Sequence, residues 1–114
     1  MIVVDNTDMI KIDVYLTSVI DVYGINIVID YANLNLKSQS VHISGGNGKN
    51  DATNSFYEFS WSSTSVVNGA IKLFTIVLNQ KDISKDVAYS LSKDSYIVNE
   101  DMTKKDVDIF FKEI

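Results

Sequence analysis

Few residues in this chain are able to do bond-making chemistry. His42 is the only histidine. It stands between Val41 and Ile43 in an alternating stretch, where an imidazole is far more often structural or simply exposed than a general base. There is no cysteine, which removes disulfides, thiolate metal sites and cysteine nucleophiles together. No Gly-x-Ser-x-Gly elbow presents a serine. The run Gly45-Gly46-Asn47-Gly48-Lys49-Asn50 has the glycine density of a phosphate-binding loop. It carries Ile43 where the first glycine belongs and Asn50 where a Ser or Thr must meet the metal, so the pattern fails twice. Acidic residues gather at Asp5 with Asp8, at Asp82 with Asp86, and at Asn99-Glu100-Asp101. None has the central glycine of an EF-hand loop, and solvated turns are the expected reading. The expectation is no catalysis, no cofactor and no metal.

Recognition is the other chemistry on offer, and two stretches carry it. Tyr23 to Tyr31 places Ile25, Ile27, Ile29 and Tyr31 on one face of an extended strand and Asn26, Val28 and Asp30 on the other. Phe56 to Ser63 likewise separates Tyr57, Phe59 and Trp61 from Glu58, Ser60 and Ser62. The six outward positions form a candidate partner-binding face. Asp30, Glu58 and the Asn26 amide can accept hydrogen bonds from a partner's Lys or Arg. Val28 is expected to supply an apolar centre within that polar rim. A sugar-binding face would instead need exposed rings, for which Tyr15, out of phase with Val14 and Leu16, and Tyr23 are the candidates.

The elements that must position these residues are strands. Ile10, Ile12, Val14 and Leu16 alternate with Lys11, Asp13, Tyr15 and Thr17, the pattern of a half-buried strand. Ser18 to Val22 is expected to cross over. Leu34 to Ile43 changes apolar phase midway, which predicts a bulge or a bend. Gly45 to Asn54 is expected to be the longest loop, and Ser62 to Gly69 a turn through Asn68-Gly69. Ala70 to Leu78 is apolar on both faces apart from Lys72 and Thr75, as a central strand would be. Asn79 to Asp86 has room for one helical turn. Ile2 to Val4 reads as an edge strand, and Val87 to Leu91 and Tyr96 to Val98 as two more short strands. At Thr103 to Ile114 a capping-box helix competes with a closing strand carrying Val107, Ile109 and Phe111, and the strand-rich context favours the strand.

Composition sets the outer bounds. The 114 residues suit a single domain, 1–114, with one core. Hydrophobic residues at 46% and charged ones at 22% fit a folded globular chain and not a disordered one. The net charge of −5, with every cation a lysine, argues against nucleic acid, which needs Lys and Arg clusters. No apolar run reaches the roughly 20 residues of a membrane-spanning helix. The opening Met-Ile-Val-Val-Asp-Asn lacks a basic n-region, so no signal peptide is expected there. The expected fold is all-β, an immunoglobulin-like antiparallel sandwich of about nine strands. Its expected core holds Ile12, Val14, Leu16, Ile25, Ile27, Ile29, Phe59, Trp61, Phe74, Ile76 and Leu78.

Two segments together resemble the cohesin family and its relatives among bacterial carbohydrate-binding sandwiches. The first is Ile12 to Leu36, with Val22-Tyr23-Gly24 leading into Ile-x-Ile-x-Ile-x-Tyr. The second is Phe59-Ser60-Trp61-Ser62-Ser63, a turn through Asn68-Gly69, and Leu73 to Leu78. Ala32 stands where the family has an Asp after the strand tyrosine, and the Pro that often follows is missing. The resemblance implies a cohesin-like jelly roll and a non-catalytic module, extracellular or at the cell surface of a bacterium. Its implied partner is a dockerin-like helical module, received on a sheet face built from the strands of Asn26, Val28, Asp30, Glu58, Ser60 and Ser62. A carbohydrate-binding module and a structural domain, viral ones included, are the alternatives.

Overall fold

A computed structural model describes residues 2–4, 9–82, 84–99 and 101–114, with the backbone path alone at 2–4, 18–20 and 64–68. Two strands dominate it. β2 runs Met9–Ala32 and β5 runs Phe56–Gln80, and they pair antiparallel along their length, from Met9 opposite Asn79 to Asp30 opposite Phe56. The shorter strands are β1 (Ile2–Val4), β3 (Leu34–Val41), β4 (Asn47–Asp51), β6 (Val87–Leu91), β7 (Tyr96–Val98), β8 (Lys104–Lys105) and β9 (Ile109–Glu113).

A straight ribbon of this length would span about 80 Å at roughly 3.3 Å per residue. The longest dimension of the molecule is 47 Å, so the ribbon is folded over. The rings of Phe59 and Phe74 show where its halves meet. They lie on the same strand and would be about 50 Å apart if it were straight, yet their centroids are 4.9 Å apart and the rings stack. Register shifts between Ser18 and Val22 and between Val22 and Gly24 bend β2 at the fold-over, as bulges do. On the facing strand Gly69 takes a φ of 83°, open to glycine at little cost.

Folding one ribbon makes two sheets. In the first, β9 pairs with the early half of β2, and β3 pairs with the late half of β5. In the second, β6 and β7 share the other edge of late β2, β4 pairs with early β5, and β1 and β8 extend β6 and β7. The core lies between, and every core position expected from alternation is buried. Hydroxyls stitch the open sides. Tyr57 donates to Gln39 at 2.6 Å and Tyr89 donates to Glu113 at 2.7 Å, each bond linking the two sheets. Burial pushes the Tyr57 phenol up to about 12 and the Tyr89 phenol higher still, the latter helped by Glu113 beside it.

The expected sandwich is present, with four local corrections. Ser18 to Val22 does not leave the strand to cross over, and Ser62 to Gly69 does not turn; both are continuous strand at the bend, where hydrogen bonding between β2 and β5 resumes at Val22–Val67. Gly45 to Asn54 is no long loop, because Asn47–Asp51 pairs with Phe56–Ser60. Its glycines are set by packing. A side chain at Gly46 would meet Phe59 and Val41 at 2.8 Å, and one at Gly48 would land on the Tyr57 hydroxyl. Asn79 to Asp86 shows no helical turn among the described residues. The bulge in β3 falls between Leu36 and Ser38. The ambiguous C-terminal segment is strand, with Val107, Ile109 and Phe111 against the core.

Candidate functional site

Residues directly opposite each other on neighbouring strands share a face and stand about 4.5–5.5 Å apart at Cβ. On the second sheet this rule assembles rows across its outer face. Asn47 is opposite Ser60, Ser60 opposite Asn26, and Asn26 opposite Tyr96, so β4, β5, β2 and β7 each contribute one side chain to a single row. The next row reads Ser62, Gly24, Val98 and Lys104. On the other side Lys49 is opposite Glu58, and Glu58 opposite Val28.

The first two rows frame a groove. A hollow of about 320 Å³ lies over Gly24, Asn26, Ser60 and Ser62, with Gly45 and Tyr96 on its banks. It shares Asn26 and Tyr96 with a second hollow of about 460 Å³, which runs on to Lys104, Lys105 and Asp106. It shares Gly24, Ser62 and Val98 with a third of about 610 Å³, walled by Tyr23 and Met102 and largely apolar. Gly24 keeps the floor low, since a side chain there would press on Val98 at 3.3 Å. Beneath the floor Trp61 is 6% exposed and donates its indole N–H to the Ser44 carbonyl at 3.0 Å, tying the turn before β4 to the groove wall. Lys104 lies over the Tyr96 ring, 4.4 Å from its centroid. Among the described residues, none of the side chains of Asn26, Asn47, Ser60 and Ser62 makes a hydrogen bond within the protein.

The candidate partner-binding residues are therefore brought together, with one exception in quality. Asp30, Ser60 and Ser62 are exposed and Asn26 and Glu58 half-buried. Val28 is only 8% exposed, so it does not offer the apolar centre expected of it. Its backbone N–H and C=O are held by the Ser95 hydroxyl and the Ser92 N–H, at 2.9 and 2.8 Å. The two candidate sugar-binding tyrosines do not meet. Tyr15 lies on the first sheet against Phe110, with ring centroids 6.1 Å apart, while Tyr23 lines the apolar hollow of the second. Sequence reasoning missed Asn47, because its glycine-rich surroundings read as loop. It also missed Tyr96, although Ile97 is buried and alternation turns its two neighbours outward.

The outer face of the first sheet holds a different arrangement. Asp13 is 4% exposed and lies opposite Thr75, whose hydroxyl donates to it at 2.5 Å. Lys72 Nζ approaches the other carboxylate oxygen at 3.5 Å. The Thr75 bond first, then Lys72, hold the Asp13 carboxyl below its usual range against the opposing effect of burial. His42 Nε2 is 2.8 Å from Thr75 Oγ1. Because the Thr75 proton is given to Asp13, its oxygen accepts, and His42 must present Nε2–H. Thr75 is 7% exposed and its hydroxyl is used on both sides, so the group reads as a structural clasp.

The acidic turns bond to themselves. Asp82 accepts from Ser84, Asp101 from Thr103 and Asp51 from Asn54, in each case from a backbone N–H and a side chain. Those bonds draw all three carboxyls down from their ordinary value. Asp5, Asp8 and Glu100 lie outside the described residues. Among the described residues no group of three or more His, Asp or Glu side chains converges as a metal site would. Comparison of the chain with protein-family models, curated proteins and solved structures found no match.

Proposed function

We propose that this domain is a non-catalytic recognition module and that its binding face is the outer face of the second sheet. The observation that carries the reading is the row Asn47, Ser60, Asn26 and Tyr96. It gathers polar side chains from β4, β5, β2 and β7 over a groove and leaves its amides and hydroxyls without partners among the described residues. Such groups keep their hydrogen bonds with water until a ligand replaces it. The finer fold reading is an immunoglobulin-like, cohesin-like jelly roll, supported by the antiparallel two-sheet layout. Placement outside the cell or at its surface belongs to the same reading and rests on the sequence resemblance.

Two occupants compete for the face. A dockerin-like helical protein is supported by Asp30 and Glu58, which stand on adjacent strands with their carboxylates within reach of a partner's cations. A polysaccharide is supported by the groove, and the covered position of Val28 favours it over a helix that would need an apolar centre. A panel of recombinant dockerin modules, passed over the immobilised domain, tests the protein reading. If it holds, Asp30→Lys and Glu58→Lys each weaken binding by about 1–3 kcal/mol with unchanged melting. Binding of neither dockerins nor polysaccharides would leave a purely structural domain, and the recognition reading would be withdrawn.

A further inference from the structure

We propose that the groove over Gly24, Asn26 and Ser60 holds a segment of an uncharged polysaccharide chain. This rests on the outer face of the second sheet being the recognition surface, and adds the chemical class of what lies in it.

The first argument is the kind of polar group present. Asn26, Asn47, Ser60 and Ser62 are all neutral, and each both donates and accepts hydrogen bonds. A sugar hydroxyl has the same dual character, so each contact can be made in either sense. A phosphate or carboxylate ligand would call for cations along the groove. Lys93, Lys104 and Lys105 stand at one end only, with Asp94 and Asp106 around the same hollow. The floor itself carries no charge.

The second argument is the apolar surface set among these groups. Tyr96 shares a row with Asn26, and Val98 is opposite Gly24. A pyranose presents C–H groups on its faces and hydroxyls around its edge, so an aromatic bank beside an amide-and-hydroxyl floor matches both. The third argument is shape. The hollows of about 460, 320 and 610 Å³ neighbour one another across the residues they share, in the order Lys105, Gly24, Met102. Each volume lies in the range of ligand clefts, about 300–1,000 Å³. A sequence of neighbouring hollows along a surface fits successive units of a polymer better than one compact molecule.

Native affinity electrophoresis tests this with named polymers. Hydroxyethylcellulose, xyloglucan and galactomannan are the neutral set, polygalacturonate the anionic probe and DEAE-dextran the cationic one. The expected result is retardation by at least one neutral polymer, insensitive to salt. Tyr96→Ala and Ser62→Arg should each weaken it at least about fivefold. Phe110→Ala, an exposed ring on the other sheet, should leave it unchanged. Thermal melting of each variant confirms folding, and Ser62 is exposed enough to accept the longer side chain. Retardation by charged polymers alone, by none, or equally in the groove variants would overturn the proposal. If the neutral set is silent while Asp30→Lys and Glu58→Lys abolish dockerin binding, the face remains a recognition surface and only its glycan occupant is lost. If both assays are silent, both readings fall.

Discussion

The two outer faces of this sandwich carry similar side chains and use them in opposite ways. On the first sheet Asp13, Thr75, His42 and Lys72 spend their polar groups on one another. On the second, Asn26, Asn47, Ser60 and Ser62 spend theirs on no other side chain or backbone group among the described residues. The difference follows from what surrounds each row. Asp13 is nearly enclosed, and a carboxylate in that position must be paired or it destabilises the fold. The second face is hollowed at Gly24 and open to solvent, so its groups need no internal partner. Polar residues on a strand's outer face therefore have two uses, and enclosure separates them.

The sharpest way to break the comparison is Thr75→Val. It keeps the shape and removes the hydroxyl that Asp13 and His42 share, leaving a buried carboxylate short of a donor. The expected loss is about 2–3 kcal/mol of unfolding free energy, read by urea denaturation at pH 7. A loss below 0.5 kcal/mol would show that the clasp is ornamental.

The pH dependence of the clasp comes next. The folded Asp13 carboxyl sits below its ordinary value, so its contribution is complete above the unfolded-state value of about 3.9. It is lost as pH falls through the lower folded value, because the unfolded chain then binds the proton more readily. Asp13→Asn should flatten the stability curve below about pH 4, and equal acid sensitivity in variant and parent would contradict the assignment. At the other extreme, Tyr57 titrates at about 12 when folded. The stability tied to its neutral form is full below about pH 10 and disappears as pH rises towards that value. Tyr57→Phe should reduce that alkaline limb, to which Tyr89 also contributes, at the cost of the Gln39 bond.

Smaller effects sharpen the contrast. His42→Ala deletes an exposed partner of Thr75 and should cost about 0.5–1.5 kcal/mol. Ser60→Ala, on the open face, should change stability by less than about 0.5 kcal/mol. A larger stability loss for Ser60→Ala than for His42→Ala would reverse the roles given to the two faces.

Alternation alone assigns most of the strands and the centre of the core. The alternation of Ile10 to Leu16, Ile25 to Tyr31 and Tyr57 to Trp61 assigns each side chain to a face, since strand geometry has period two whatever the fold around it. It also placed Asn26 and Asp30 outward on one strand and Ser60 on another. Tertiary structure alone decided that β2 and β5 each run through both sheets. A turn and a bulged continuation have the same local composition at Ser62 to Gly69, and only pairing such as Val22 with Val67 distinguishes them. Register likewise brought Asn47 and Tyr96 into line with Ser60 and Asn26, residues separated along the chain by whole strands. Burial settled the rest. Val28 and Asp13 both point outward by alternation, but whether an outward residue meets solvent depends on what the neighbouring strands lay over it, and no pattern within one strand contains that information.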